Sequence, residues 1–153
     1  PPSVNEAQEC LGGAGYVEES ILPRLYRQAP LNAIWEGSGN IQCLDVLRAL
    51  KREPATCDAL FAEFAVVKGA HPRLDAHVEK LARALRETAH AESRARSLVE
   101  AMAVGLQAAQ LLRIDDRTVG DSFCEARLGE ATQHSFGTLP PSTPFAALIA
   151  RAY

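Results

Sequence analysis

The stretch Asn32-Ala33-Ile34-Trp35-Glu36-Gly37-Ser38-Gly39-Asn40-Ile41-Gln42 sets the reading of the whole chain. A carboxylate is followed by a Gly-Ser-Gly turn, and then a regular amphipathic run begins. Such a turn leaves backbone N–H groups uncovered at a helix N-terminus, where the dipole favours an anion. One short segment can therefore hold a phosphate and place a base beside it. The same residue types also fit a glycine-rich helix start with Glu36 simply solvated, and the pattern alone does not choose between the two.

Beyond the turn, Ile41, Leu44, Leu47 and Leu50 recur at helical spacing, which predicts a helix over about 40–52 with one core face. Glu53-Pro54 breaks it. On the N-terminal side, Ser3-Val4-Asn5-Glu6 reads as a capping box opening a helix to about Leu11. Gly12-Gly13-Ala14-Gly15 stops that helix in a turn where backbone can approach another group closely. A short helix starts at Leu22-Pro23 and ends at Pro30; Arg24 and Arg27 share one face of it, as a solvated or ion-paired surface.

The remainder reads as four helices and a tail. Leu60, Phe61, Phe64 and Val67 mark the first, which Gly69 ends. Pro72 opens the second, with Leu74, Val78, Leu81 and Leu85 inward and Arg73, His77, Lys80 and Arg83 on the opposite side. After a break near Thr88–His90, Leu98, Met102, Leu106, Ala109 and Leu112 give a third helix to about Arg113. Asp115 or Asp116 caps a fourth, over about Arg117 to Ser135, built on Val119, Phe123 and Leu128. Phe136 to Pro141 is an extended connector, and Thr143-Pro144 starts a terminal helix with proline at its first position. No alternating hydrophobic run bounded by hairpin turns appears. The fold class is all-α, an antiparallel helical bundle.

Composition narrows the function. The 153 residues are rich in alanine and leucine and poor in aromatics, which favours helix over sheet. The formal net charge is −3, so bulk charge gives no polyanion binder. The four cysteines (Cys10, Cys43, Cys57 and Cys124) form no CxxC pair and read as reduced, buried thiols of a cytoplasmic protein. The histidines lack metal-ligand spacing, so no metal is expected. No run approaches the 18 or so apolar residues of a membrane span, and Pro1-Pro2-Ser3 opens no signal peptide.

Two blocks carry a resemblance. Glu6-Ala7-Gln8-Glu9-Cys10-Leu11-Gly12-Gly13-Ala14-Gly15-Tyr16 is one, and Leu22-Pro23-Arg24-Leu25-Tyr26-Arg27, running on to Ile34 through Gln42, is the other. Together they resemble the C-terminal part of the acyl-CoA dehydrogenase family. Trp35 through Asn40, with Cys43-Leu44-Asp45-Val46-Leu47-Arg48 after it, is most similar to the AidB-like branch, associated with the bacterial response to DNA alkylation. The resemblance implies that residues 1–53 close the dehydrogenase helical domain and that 54–153 are the branch's additional helical region. It implies an FAD cofactor, an acyl-CoA substrate and a homo-oligomer, dimer or tetramer. Glu36 takes the position of the base that removes the α proton, and Trp35 gives it apolar cover or flanks the flavin. Such a base needs a dry pocket, since desolvation strengthens a carboxylate as a base. Ser38 and Asn40 stand where relatives usually have threonine and glutamine touching the FAD phosphate and adenosine portion. Gly13 is the candidate for the flavin pyrophosphate, approached across a subunit interface. Glu9 departs from the family's usual glutamine there and would repel a pyrophosphate unless shielded.

The resemblance also implies that the family's N-terminal helices, β domain and first bundle helices lie outside this sequence. The chain then reads as a C-terminal piece with little or no turnover alone. The competing reading is a DNA-binding module through Arg73, Lys80 and Arg83, which the branch resemblance suggests. Charge speaks against it: residues 1–49 hold three Lys/Arg and six Asp/Glu, and residues 50–153 hold thirteen of each. A third reading is oligomer packing alone, which the apolar stripes satisfy.

Overall fold

The computed structural model describes residues 1–114, 116–129, 136–137 and 139–152. Every regular element among them is helical. Packing divides the chain into two units, Pro1–Gln42 and Cys43–Tyr153.

In the first unit, α1 (Pro2–Leu11), α2 (Gly13–Tyr16) and α3 (Leu22–Gln28) pack on one another. The expected capping box does not form. Helix α1 begins two residues earlier, with Pro1 at the cap and Pro2 in the first turn, and no side chain caps it. Proline's fixed φ suits a first turn, which leaves Ser3 already inside the helix. Gly12 stops α1 at φ 58°, as expected, but the following turn winds into the one-turn α2 instead of remaining irregular. Gly15 explains that tight return. A Cβ on it would lie 2.5 Å from the Gln8 carbonyl oxygen, and Gln8 Nε2 donates to the Gly15 carbonyl at 3.1 Å. Pro30 does not end the next helix outright; α3 tightens into a 3₁₀ turn over Ala29–Ala33 that has proline in its first turn. Arg27 donates twice to the Glu18 carboxylate, at 2.7 and 3.2 Å, so its face is the ion-paired one.

Helix α4 (Gly39–Arg52) follows, fully formed as its periodicity predicts. Its apolar stripe is not core, however: no residue of α4 is buried, and Ile41 is exposed.

The second unit has the core. Helices α5 (Pro54–Val66), α6 (Pro72–Arg86), α7 (Ala95–Leu112) and α8 (Arg117–Arg127) surround Phe64, Val67, Leu74, Leu81, Ala108, Ala109, Leu112 and Cys124. Phe61 and Phe64 meet edge to face with centroids 5.7 Å apart. Gly69 at φ 80° and the His71 cap separate α5 from α6; His71 Nδ1 accepts the Arg73 backbone N–H at 3.2 Å. Helix α7 packs on α5, α6 and α8 and so is the centre of this unit. Gly120 lets α8 close on it, since a Cβ there would lie 2.9 Å from Leu112 Cδ2. Asp116 caps α8 by accepting the Thr118 N–H at 2.9 Å. Asp115, the other cap candidate, lies outside the described residues. Helix α8 ends at Arg127, short of the expected Ser135; residues 130–135 also lie outside the described residues. The terminal helix α9 (Phe145–Arg151) takes Pro144 as its cap rather than as its first residue.

All four cysteines are free thiols, but only Cys124 is buried; Cys10 is exposed. The expectation of buried thiols holds for Cys124 alone. Burial pushes its thiol up to about 11. Among the described residues, no cluster of metal-ligating side chains occurs, and no helix is long and apolar enough to cross a membrane.

Candidate functional site

The Glu36–Asn40 turn is built by its two flanks. Ahead of it, the Ile34 and Trp35 N–H groups both donate to the Leu31 carbonyl, at 2.9 and 3.1 Å, so the chain enters from a closed turn. Glu36 then takes φ 59°, one of two non-glycine residues with positive φ among those described, and Gly37 takes φ 117°. A left-handed glutamate is uncommon and carries a steric cost. The chain enters α4 through Ser38, whose carbonyl accepts the Gln42 N–H at 3.1 Å. That first helical bond leaves the N–H groups of Gly39, Asn40 and Ile41 as the open donors of the helix end. Asp45 and Arg48 pair one turn further on.

Glu36, Ser38 and Asn40 thus share one exposed turn, with the carboxylate immediately ahead of the open helix end. Trp35, beside Glu36 in sequence, is 60% exposed. The fourth member of the arrangement is Gln42, whose Nε2 donates to the Glu36 carbonyl at 2.6 Å. Sequence reasoning used Gln42 only as the end of a motif. Its position six residues past the carboxylate, one turn into the helix, was the available signal.

Gly13 lies at the start of α2, exposed, with open space where a Cβ would stand. Glu9 beside it is engaged by Asn5, whose Nδ2 donates to Oε1 at 2.9 Å. Among the described residues, no hydrogen bond joins Gly13 to the Glu36–Asn40 turn. Gly15 makes a separate close backbone approach, to Gln8 within the same unit.

The basic stripe on α6 is not a continuous surface. Arg73 donates to the Glu125 carboxylate at 2.6 Å and to the Glu125 carbonyl at 2.7 Å. His71 Nε2 adds a contact to the same carboxylate at 3.5 Å. His77, expected on the outer side, turns inward: its Nε2 lies 2.8 Å from the Ala101 carbonyl, and its ring packs where Gly105 has no side chain. Seven residues of helix bring Arg73 and Lys80 back to one side, but only Lys80 and Arg83 remain exposed there.

Residues 3–51 match the family model described as acyl-CoA dehydrogenase, C-terminal domain. Over that stretch the chain is similar to the C-terminal part of the acyl-CoA dehydrogenase family. It is 43% identical over 127 residues to "Putative acyl-CoA dehydrogenase AidB" of Escherichia coli (strain K12), an alignment covering 83% of this chain and 23% of that protein. It is 53% identical over 47 residues to acyl-CoA dehydrogenase family member 11 of Caenorhabditis elegans, covering 31% of this chain and 8% of that protein. The chain therefore spans about a quarter or less of these acyl-CoA dehydrogenase relatives. The AidB alignment is far longer than the 3–51 family match, so the likeness extends into the helices of the second unit.

Proposed function

We propose that this chain supplies the base and part of the flavin cradle of an FAD-dependent, acyl-CoA dehydrogenase-like flavoprotein. The reading rests on one observation: Glu36 stands on a left-handed turn directly ahead of the open N-terminus of α4, beside Ser38 and Asn40. That arrangement fits the phosphate portion of FAD. The orphan N–H groups and the Ser38 hydroxyl are donors, and the helix dipole adds partial positive charge. Gly13 offers unobstructed backbone for a second approach, although the Glu9 carboxylate near it opposes an anion.

In the intact flavoprotein, the Glu36 carboxylate takes the α proton of an acyl-CoA thioester. FAD, when bound, accepts the β hydride. Glu36 is exposed in this chain, so the acyl chain and other protein segments must exclude water around it before it acts as a base. The exposed apolar side chains of the first unit, Ile34 and Trp35 among them, supply surface for that cover. We further propose a cytoplasmic homo-oligomer, dimer or tetramer; the free thiols agree with a reducing compartment. Glu125, by neutralising Arg73, weighs against DNA as the partner.

The test is Glu36→Gln in the flavoprotein. Turnover falls about 10²–10⁴-fold, the range for a positioned general base, while the visible flavin absorbance stays. Undiminished turnover overturns the reading. The chain alone, mixed with excess FAD and gel-filtered, shows no acyl-CoA turnover.

A further inference from the structure

We propose that Gln42 is a positioning residue, a latch that fixes Glu36 relative to the helix end. The inference rests on the reading of Glu36 as the base. Gln42 closes the turn twice. Its backbone N–H donates to the Ser38 carbonyl at 3.1 Å, and its side-chain Nε2 donates to the Glu36 carbonyl at 2.6 Å. The first bond ties the start of α4 to Ser38. The second reaches back over Gly37 and ties Glu36 to the same residue.

The geometry explains why such a latch is needed. Glu36 at φ 59° sits where an ordinary side chain is strained, and strained residues persist only when their surroundings over-determine them. Gly37 at φ 117° supplies freedom, not constraint. The turn instead folds tightly onto the first turn of the helix: a Cβ on Gly37 would lie 3.1 Å from Gln42 Nε2 and 3.5 Å from Ile41 Cγ2. Without the side-chain bond, Glu36 is free to relax to negative φ, which redirects its side chain relative to the start of α4. Reach is specific too. Asparagine is one methylene short of glutamine.

Two variants test the donor: Gln42→Leu removes it together with the last atom of reach, and Gln42→Glu keeps the full reach but donates only when protonated. In the whole chain, nuclear magnetic resonance reads Glu36 directly, because positive φ gives a strong intraresidue NOE between the amide and α protons. That NOE is strong in the native chain and weak in Gln42→Leu. It is weak in Gln42→Glu at neutral pH and returns on acidification through the ordinary carboxylate value of about 4.3. Unchanged amide shifts over residues 44–52 certify the helix in each variant. An unchanged Glu36 NOE in Gln42→Leu overturns the latch.

The functional arm uses the FAD-loaded flavoprotein. Gln42→Leu lowers kcat at least 10-fold with KM and flavin content unchanged; an unchanged kcat overturns the positioning role. The two readings fail separately. Should Glu36→Gln retain turnover, the base assignment falls, while the NOE result stands as a statement about the turn.

Discussion

Residues 1–42 and 43–153 solve opposite problems. Among the first 42 residues only Gly15 and Pro23 are buried, and Tyr16 and Ile34 are 80% and 65% exposed. The second unit buries Leu74, Leu81 and Cys124 to 2% exposure or less. Yet the proposed chemistry belongs to the first. Its turn is held by local bonds, from Leu31 to Trp35 and from Glu36 to Gln42, and not by a core of its own. A site of this kind is correct in backbone while remaining open on its apolar side, which suits a segment that other parts of a flavoprotein cover. The cored unit adds ion pairs between its packed helices, as Arg73 of α6 and Glu125 of α8 show.

The thiols give the largest test of this contrast. Cys10 is exposed, whereas Cys124 is fully buried and its thiol is pushed up to about 11. Timed alkylation with iodoacetamide, read by peptide mass, modifies Cys10 at the rate of a free thiol. Cys124 reacts only when the second unit opens, about 10³-fold or more slowly for a domain of ordinary stability. Equal rates would erase the distinction between the units.

Truncations sharpen it next. Leu81→Ala leaves a hole in the core and costs about 2–5 kcal/mol, seen as a lower urea midpoint. Leu25→Ala, at a position 38% exposed, shifts the same midpoint by about 0.5 kcal/mol or less. Glycines divide the same way. Gly120→Ala forces a methyl to 2.9 Å from Leu112 Cδ2 and costs about 1–3 kcal/mol by overpacking. Gly13→Ala meets nothing and leaves stability unchanged, but in the flavoprotein it weakens FAD retention if Gly13 faces the pyrophosphate.

The helices were legible because their signals are local and periodic. Leu74 and Leu81, or Leu98, Ala109 and Leu112, announce a buried face by spacing alone, and α5 to α7 begin and end within a few residues of expectation. Periodicity does not say whether a partner is present, so the stripe of α4 read as core although nothing described here buries it. His77 was misplaced for a related reason. Its neighbours Arg73 and Lys80 suggested a wet face, but a glycine on another helix, Gly105, makes room for its ring, and that pairing is 28 residues distant in sequence. At the candidate site, Glu36, Ser38 and Asn40 are named by family likeness alone. The positive φ of Glu36 and the Gln42 bond depend on how a turn folds onto a helix, which residue types do not encode by themselves.

The smallest expected effect concerns how the second unit holds its last helix. Hydrogen bonding from Thr118, with Arg151 beside it, keeps the Asp116 carboxyl below its ordinary value. Arg151, at the end of α9, donates to Asp116 Oδ2 at 2.5 Å. A depressed carboxyl favours the fold above its unfolded value, about 3.9, and that contribution disappears as pH falls through the lower folded value. The tether of α9 to α8 therefore persists to mildly acidic pH and loosens only below about 4. The Asp116 side-chain carbon shift should titrate below the ordinary range, and the Thr118 amide should exchange faster once it does. Asp116→Asn keeps an acceptor for Thr118 but removes the charge that attracts Arg151. It should leave Thr118 protected and free Arg151 at every pH. Titration of Asp116 at the ordinary carboxylate value would mean that α8 is not capped this way in solution, and α9 would then lose its ion pair to α8.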